Sequence, residues 1–179
     1  MKDTIQLNVS AQALFDVMKR SLVLETGEKH PKLAPGYSWS KKTGNRRTRV
    51  KLTDWKEPSA YAAHFSTDGK GLDVRYDLEP LGPDRVQVTY THTLEGSGFL
   101  IRRQEKAAVK KALELLRNVE TVLLAQAAQA AQQKTPGNQE ETELQPVILP
   151  AGSRAHRQPS GYADNPVSLV FMTASCPGF

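Results

Sequence analysis

His92 lies in a run where histidine and tyrosine share one side. Val86, Val88, Tyr90, His92 and Leu94 alternate with Arg85, Gln87, Thr89, Thr91 and Thr93. That is the two-residue period of a half-buried strand, so His92 sits on the apolar face. A histidine there can act as a general acid or base. No nucleophile or carboxylate is indicated on that face. The expectation is therefore a satisfied, partly buried histidine near the sheet's edge, and no catalytic residue is assigned. His64 has the opposite parity and is expected outside. Aromatic residues with polar tips suit a pocket for a flat or amphipathic molecule. Trp39, Tyr61, Phe65, Tyr76, Tyr90 and His92 form the candidate ligand-binding set, although core packing alone accounts for any one of them.

Other chemistry is excluded by spacing. Four histidines and one cysteine, Cys176, are scattered, so no metal-ligand spacing and no intrachain disulfide exist. A Gly-rich phosphate loop, a nucleophile elbow and an HExxH pattern are absent. No cofactor is expected. Asp73, Asp77 and Glu79 share a face with Arg75. Cross-strand Arg47, Arg49, Lys51 and Arg85 make surface ion pairs the expected use of these carboxylates.

The 179 residues carry a formal charge of +5, with +7 on residues 1–134 and −2 on the remainder. Lys41–Lys51 is the densest basic run. Arg102, Arg103, Lys106, Lys110 and Lys111 form a second. Neither has interleaved aromatics for base stacking, so both are expected to be solvated faces and nucleic acid is not an expected partner. No basic flank precedes an apolar run at the start, and no apolar run approaches ~18 residues. No membrane span is expected, and the default location is the cytoplasm. Nothing in the pattern fixes an oligomeric state.

The elements that must position these residues follow from periodicity. Thr4–Val9 alternates as a strand. Ser10 stands at an N-cap, and Leu14, Met18 and Leu22 continue at helical spacing to about Leu24, with Gly27 as the stop. Pro31 and Pro35 make a loop. Strands follow at Tyr37–Thr43, Arg46–Asp54, Ser59–Ser66, Leu72–Glu79 and Arg85–Leu94, with Gly44-Asn45 and Asp68-Gly69 as turns. Short turns predict a meander of strands two to six, with strand one pairing at one end. From Phe99 to about Leu124, Ile101, Ala108, Ala112, Leu115, Leu116, Val119, Val122 and Leu123 fall on one side of a helix. The apolar stripe fails at Gln126. From Thr135 no periodicity survives, so residues 134–179 are expected to be a disordered tail, with an apolar island at Val167–Met172.

Four stretches carry a resemblance: IQLNVSAQALFDVM, LAPGYSWSKK, VRYDLEPLGPDRVQVTYTHTLEG and KALELLRNVE. Through them the chain resembles the START-like superfamily, the helix-grip fold of polyketide cyclases, birch-pollen-allergen-like proteins and lipid-transfer domains. More narrowly it resembles a small bacterial family of unknown function seen mostly in lactobacilli. The likeness spans roughly residues 3–124. It implies an α+β helix-grip domain over 1–133: an antiparallel six-stranded sheet wrapped around a long C-terminal helix, with one short N-terminal helix. The Pro31–Pro35 loop stands where a second short helix usually lies. A cavity between sheet and long helix often holds an apolar or amphipathic ligand in this superfamily. The leading expectation is a non-enzymatic protein binding a small hydrophobic or amphipathic molecule. The alternatives are a cyclase- or hydrolase-type enzyme using His92 and a tyrosine in that cavity, and a protein- or nucleic-acid-binding module using the basic face.

Overall fold

The computed structural model describes residues 1–43, 45–96 and 98–133. The elements run β1 (Lys2–Leu7), α1 (Ala11–Thr26), β2 (Ser38–Thr43), β3 (Arg46–Lys56), β4 (Ala60–Thr67), β5 (Lys70–Gly82), β6 (Arg85–Leu94) and α2 (Phe99–Gln133). All six strands form one antiparallel sheet in the order β1-β6-β5-β4-β3-β2. The meander is thus as expected, and β1 closes it by pairing with β6.

Local chemistry sets the ends of α1. The Ala13 N–H donates to Ser10 Oγ at 3.1 Å, which satisfies a first-turn donor. Gly27 closes the helix at φ 71°, a left-handed conformation that costs glycine little. One face of α1 buries Leu14, Phe15, Met18 and Leu22. Between α1 and β2 the chain is loop through Pro31 and Pro35.

α2 packs closest to β6 and then β1. Its buried stripe is Ala108, Val109, Ala112, Leu116 and Val119, with Ile101, Leu113, Val122 and Leu123 half-buried beside it. Val109 and Leu113 replace the expected Leu115 at the contact. The apolar stripe ends near Leu124 as expected, and the helix continues to Gln133 through a run that favours helix by propensity, with side chains 124–132 exposed. Glu120 Oε1 accepts hydrogen bonds from the Asn8 backbone N–H and side-chain amide, at 2.5 and 3.0 Å. These tie α2 to the chain just past β1. Gly44 of the expected β2–β3 turn lies outside the described residues. So do the tail expected over 134–179 and its Val167–Met172 island.

The outer face of the sheet is polar. Arg75 reaches Asp77 (2.7 Å) and Asp54 (3.0 Å), and His64 Nδ1 lies 2.8 Å from Asp73. Burial would raise the Asp54 carboxyl, but hydrogen bonding to Arg75 and the charges of Lys56 and Arg75 hold it below the usual carboxylate range. His64 is on the outside, as its parity requires. The ion-pair reading holds for Asp77, whose partner is Arg75; Asp73 meets His64, and Glu79 accepts a hydrogen bond from the Gln87 amide at 3.1 Å.

Candidate functional site

Strand register turns isolated aromatics into rows across the concave face. Trp55 lies opposite Tyr61, Tyr61 opposite Tyr76, and Tyr76 opposite Tyr90. Their ring centroids follow at 6.1, 5.8 and 4.7 Å, and Phe15 of α1 caps the Trp55 end at 4.9 Å. The result is an unbroken aromatic row from α1 to β6. Such contacts add stabilisation beyond area alone.

Trp55 joins this row through a β-bulge. The β3–β4 register shifts between Leu52 and Asp54. Strict alternation from Val50 and Leu52 would turn Asp54 inward; the extra residue instead turns Trp55 inward and leaves Asp54 for Arg75. A simple parity count therefore misses Trp55. Phe15 was readable only as a helix core residue, because its partner lies on β3.

A second row runs parallel to the first: Trp39, Val50, Phe65, Leu72 and Leu94 are successive cross-strand partners. Between the two lies a third row of Leu52, Ala63, Val74 and His92. Its side chains on the central strands β4 and β5 are short, and His92 stands at its end. The expected ligand-binding set thus divides: Tyr61, Tyr76 and Tyr90 stand on one side of this middle row, Trp39 and Phe65 on the other, and His92 within it. Trp39 is half-buried on the edge strand β2, 5.7 Å from Tyr37. The other five are buried.

His92 differs from the expectation for it. It does stand near the sheet's edge, on the strand beside edge strand β1, but it is 1% exposed and neither ring nitrogen has a hydrogen-bond partner among the described residues. Only its backbone is fixed from outside β6, by the Met1 amino group donating to its carbonyl and by its N–H donating to Met1 O. Burial pushes the imidazole below its ordinary value of 6.5; Glu105 pulls it up, and the Met1 amino group pushes it down. His92 is therefore neutral at pH 7, with one ring nitrogen a donor and the other an acceptor. The Tyr90 ring lies beside it, with centroids 6.2 Å apart. Glu105 is held by the Leu94 N–H at 3.1 Å.

A second polar cluster closes the β2 side. Lys41 shares Trp39's parity and points inward, so it leaves the solvated basic run to which the sequence assigned it. Its Nζ lies 2.8 Å from Glu25 Oε1 and 5.5 Å above the Phe65 ring, and both charged side chains are less than one-fifth exposed. Burial pushes the Glu25 carboxyl above its ordinary value even though Lys41 opposes the shift. Among the described residues no group of histidine, cysteine and carboxylate side chains could hold a metal ion.

Residues 1–113 match a family described as a domain of unknown function, DUF3284. No curated protein matches the sequence. Among solved structures, DynU16, a putative protein in the dynemicin biosynthetic locus, aligns with a TM-score of 0.52 at 11% identity, over 69% of this chain and 46% of that one. The present chain thus spans about half the length of DynU16. Ara h 8.0201 aligns with a TM-score of 0.52 at 14% identity, over 70% of this chain and 97% of that one. Protein Ms6760 from Mycobacterium smegmatis aligns at 0.50 and 13%, over 70% and 90%. At these identities the likeness is one of fold: a sheet gripping a long C-terminal helix, the START-like arrangement.

Proposed function

The chain belongs to the DUF3284 family of domains of unknown function, and from that premise we propose that it binds a small hydrophobic or amphipathic molecule against the concave face of its sheet. The ligand lies along the middle row, over Ala63 and Val74, between the two aromatic rows. Its apolar body meets Tyr61, Tyr76 and Tyr90 on one side and Phe65 on the other. Its polar end reaches His92. Trp39 and Trp55, half-buried on β2 and β3, mark the rim through which it enters.

One observation carries this reading: a buried imidazole, with both ring nitrogens unbonded among the described residues, ends a row of short side chains flanked by aromatic rings. An unbonded buried polar group costs roughly 1–3 kcal/mol, and a core residue of similar size without polar atoms would avoid that. A ligand hydroxyl, both donor and acceptor, matches a neutral imidazole. A carboxylate is the poorer match, because Glu105 already places negative charge near the ring.

The same histidine supports a second reading, a cyclase- or hydrolase-type enzyme in the same space. His92 is neutral and thus able to accept a proton, and Tyr90 adjoins it. The binding reading is preferred because neither His92 ring nitrogen is hydrogen-bonded among the described residues, so no carboxylate orients the imidazole as a base.

Native mass spectrometry of the purified protein, before and after denaturing extraction, tests the proposal. The expected result is a co-purified small molecule that extraction removes, with Trp39 and Trp55 fluorescence restored to its quenched level when the molecule is added back. A clean apo mass together with no binding of hydrophobic dyes would count against it.

A further inference from the structure

The two basic runs of the sequence meet at one end of the molecule. At that end β2 passes to β3, β4 to β5, and β6 to α2. Arg46 and Arg47 come from the start of β3, Lys70 from the start of β5, and Arg102, Arg103 and Lys106 from the first two turns of α2. All six are exposed. Several carboxylates there are already engaged. Asp68 lies 3.7 Å from Arg46, Glu95 accepts the Gly71 N–H at 2.8 Å, and Glu105 accepts the Leu94 N–H. The opposite end is mixed in sign, with Glu57 paired to Lys19 and Glu120 bound to Asn8.

At the basic end α2, like β3, β4 and β5, runs past the last residue of β6. Glu105 is level with the last residue of β6 through its bond to Leu94. The six residues before it extend roughly 9 Å further. They begin with Phe99 and Leu100, 79% and 71% exposed, the most exposed large apolar side chains among the described residues. Basic residues and exposed apolar side chains are thus brought to one end by the topology, although they are far apart in sequence.

We propose that this end docks on the surface of a bilayer containing anionic phospholipid. Phe99 and Leu100 enter the boundary between headgroups and acyl chains, and the surrounding arginines and lysines hold the lipid phosphates. The contact is peripheral, since no helix among the described residues is long and apolar enough to cross a membrane. A nucleic-acid duplex would use the same cations but offers its backbone, not an apolar phase, to Phe99 and Leu100. The inference is independent of any ligand on the concave face.

The test is sedimentation of the full chain with phosphatidylcholine vesicles, with and without phosphatidylglycerol, at low and high salt. Binding should require phosphatidylglycerol and fall with salt. R102Q/R103Q should weaken it roughly 25-fold, at about fivefold per cation. F99N/L100N should weaken it at least about tenfold. Both variants should unfold at the wild-type temperature, because the replaced side chains are exposed. No binding at low salt, equal binding to neutral vesicles, or wild-type binding by both variants would overturn the proposal. So would tight binding to duplex DNA that needs Arg102 and Arg103 but is indifferent to F99N/L100N, with vesicles left unbound.

Discussion

Replacing His92 by leucine should make the empty protein more stable. The side chain is 1% exposed, and neither ring nitrogen has a hydrogen-bond partner among the described residues. Each unbonded buried polar group costs roughly 1–3 kcal/mol, and leucine removes both while keeping similar bulk. Imperfect fit takes back part of the gain, leaving about 1–2 kcal/mol, or roughly 3–6 °C in Tm for a domain of this size. The advantage should grow in acid. Because burial holds the folded pKa below the ordinary 6.5, the unfolded chain takes up the proton first as pH falls. His92's contribution is thus fully present above pH 6.5 and lost as the pH drops through its lower folded value. Urea unfolding of both proteins at about pH 8 and about pH 5 reads the difference between them, which cancels the other titrating groups. Destabilisation of His92→Leu by more than about 1 kcal/mol at the higher pH would mean that the imidazole is hydrogen-bonded in solution. The reasoning about an unmet polar group would then be wrong.

Two further substitutions probe the frame. Lys41→Met strips the partner from a carboxyl whose pKa is already raised by burial. It should destabilise the fold by about 2 kcal/mol near pH 8, and by less as the pH falls toward the raised value of the carboxyl, because a protonated Glu25 needs no cation; equal losses near pH 8 and pH 5 in urea titrations would contradict the pairing. Leu116→Ala, at a fully buried position on α2, should cost about 2–4 kcal/mol with an unchanged m-value, whereas Lys110→Ala on the exposed side should stay within about 0.5 kcal/mol.

Elements with unbroken alternation were legible in the sequence. The bounds of β6 coincide with the run Arg85–Leu94, and Ser10 and Gly27 frame α1 because capping is a local property. The site was legible only in part. Parity put Tyr61, Tyr76, Tyr90 and His92 on one face, but their order as rows depends on cross-strand register, which no single segment encodes. Trp55 was hidden by the bulge at Leu52/Asp54. Lys41 was readable as inward by its parity with Trp39, yet the charge density around it suggested a solvated hairpin. What made it an inward residue is Glu25, sixteen positions away on a different element. The same holds for the basic end: each run reads as a surface in isolation, and only the antiparallel topology sets them side by side.

The closure of the sheet by β1 has a consequence for synthesis. Thr4 meets Thr89 across 85 residues of chain. At a translation rate of roughly 5–20 residues per second, β1 waits about 4–17 s for β6 to be made. Throughout that interval the apolar side of β1 has neither its partner strand nor the long helix to cover it. The hairpins from β2 to β6 join neighbours and can form as they emerge, so β1 must be the last strand to join. A nascent chain stalled before Arg85 should therefore be held by chaperones through β1, and should release it once β6 is complete.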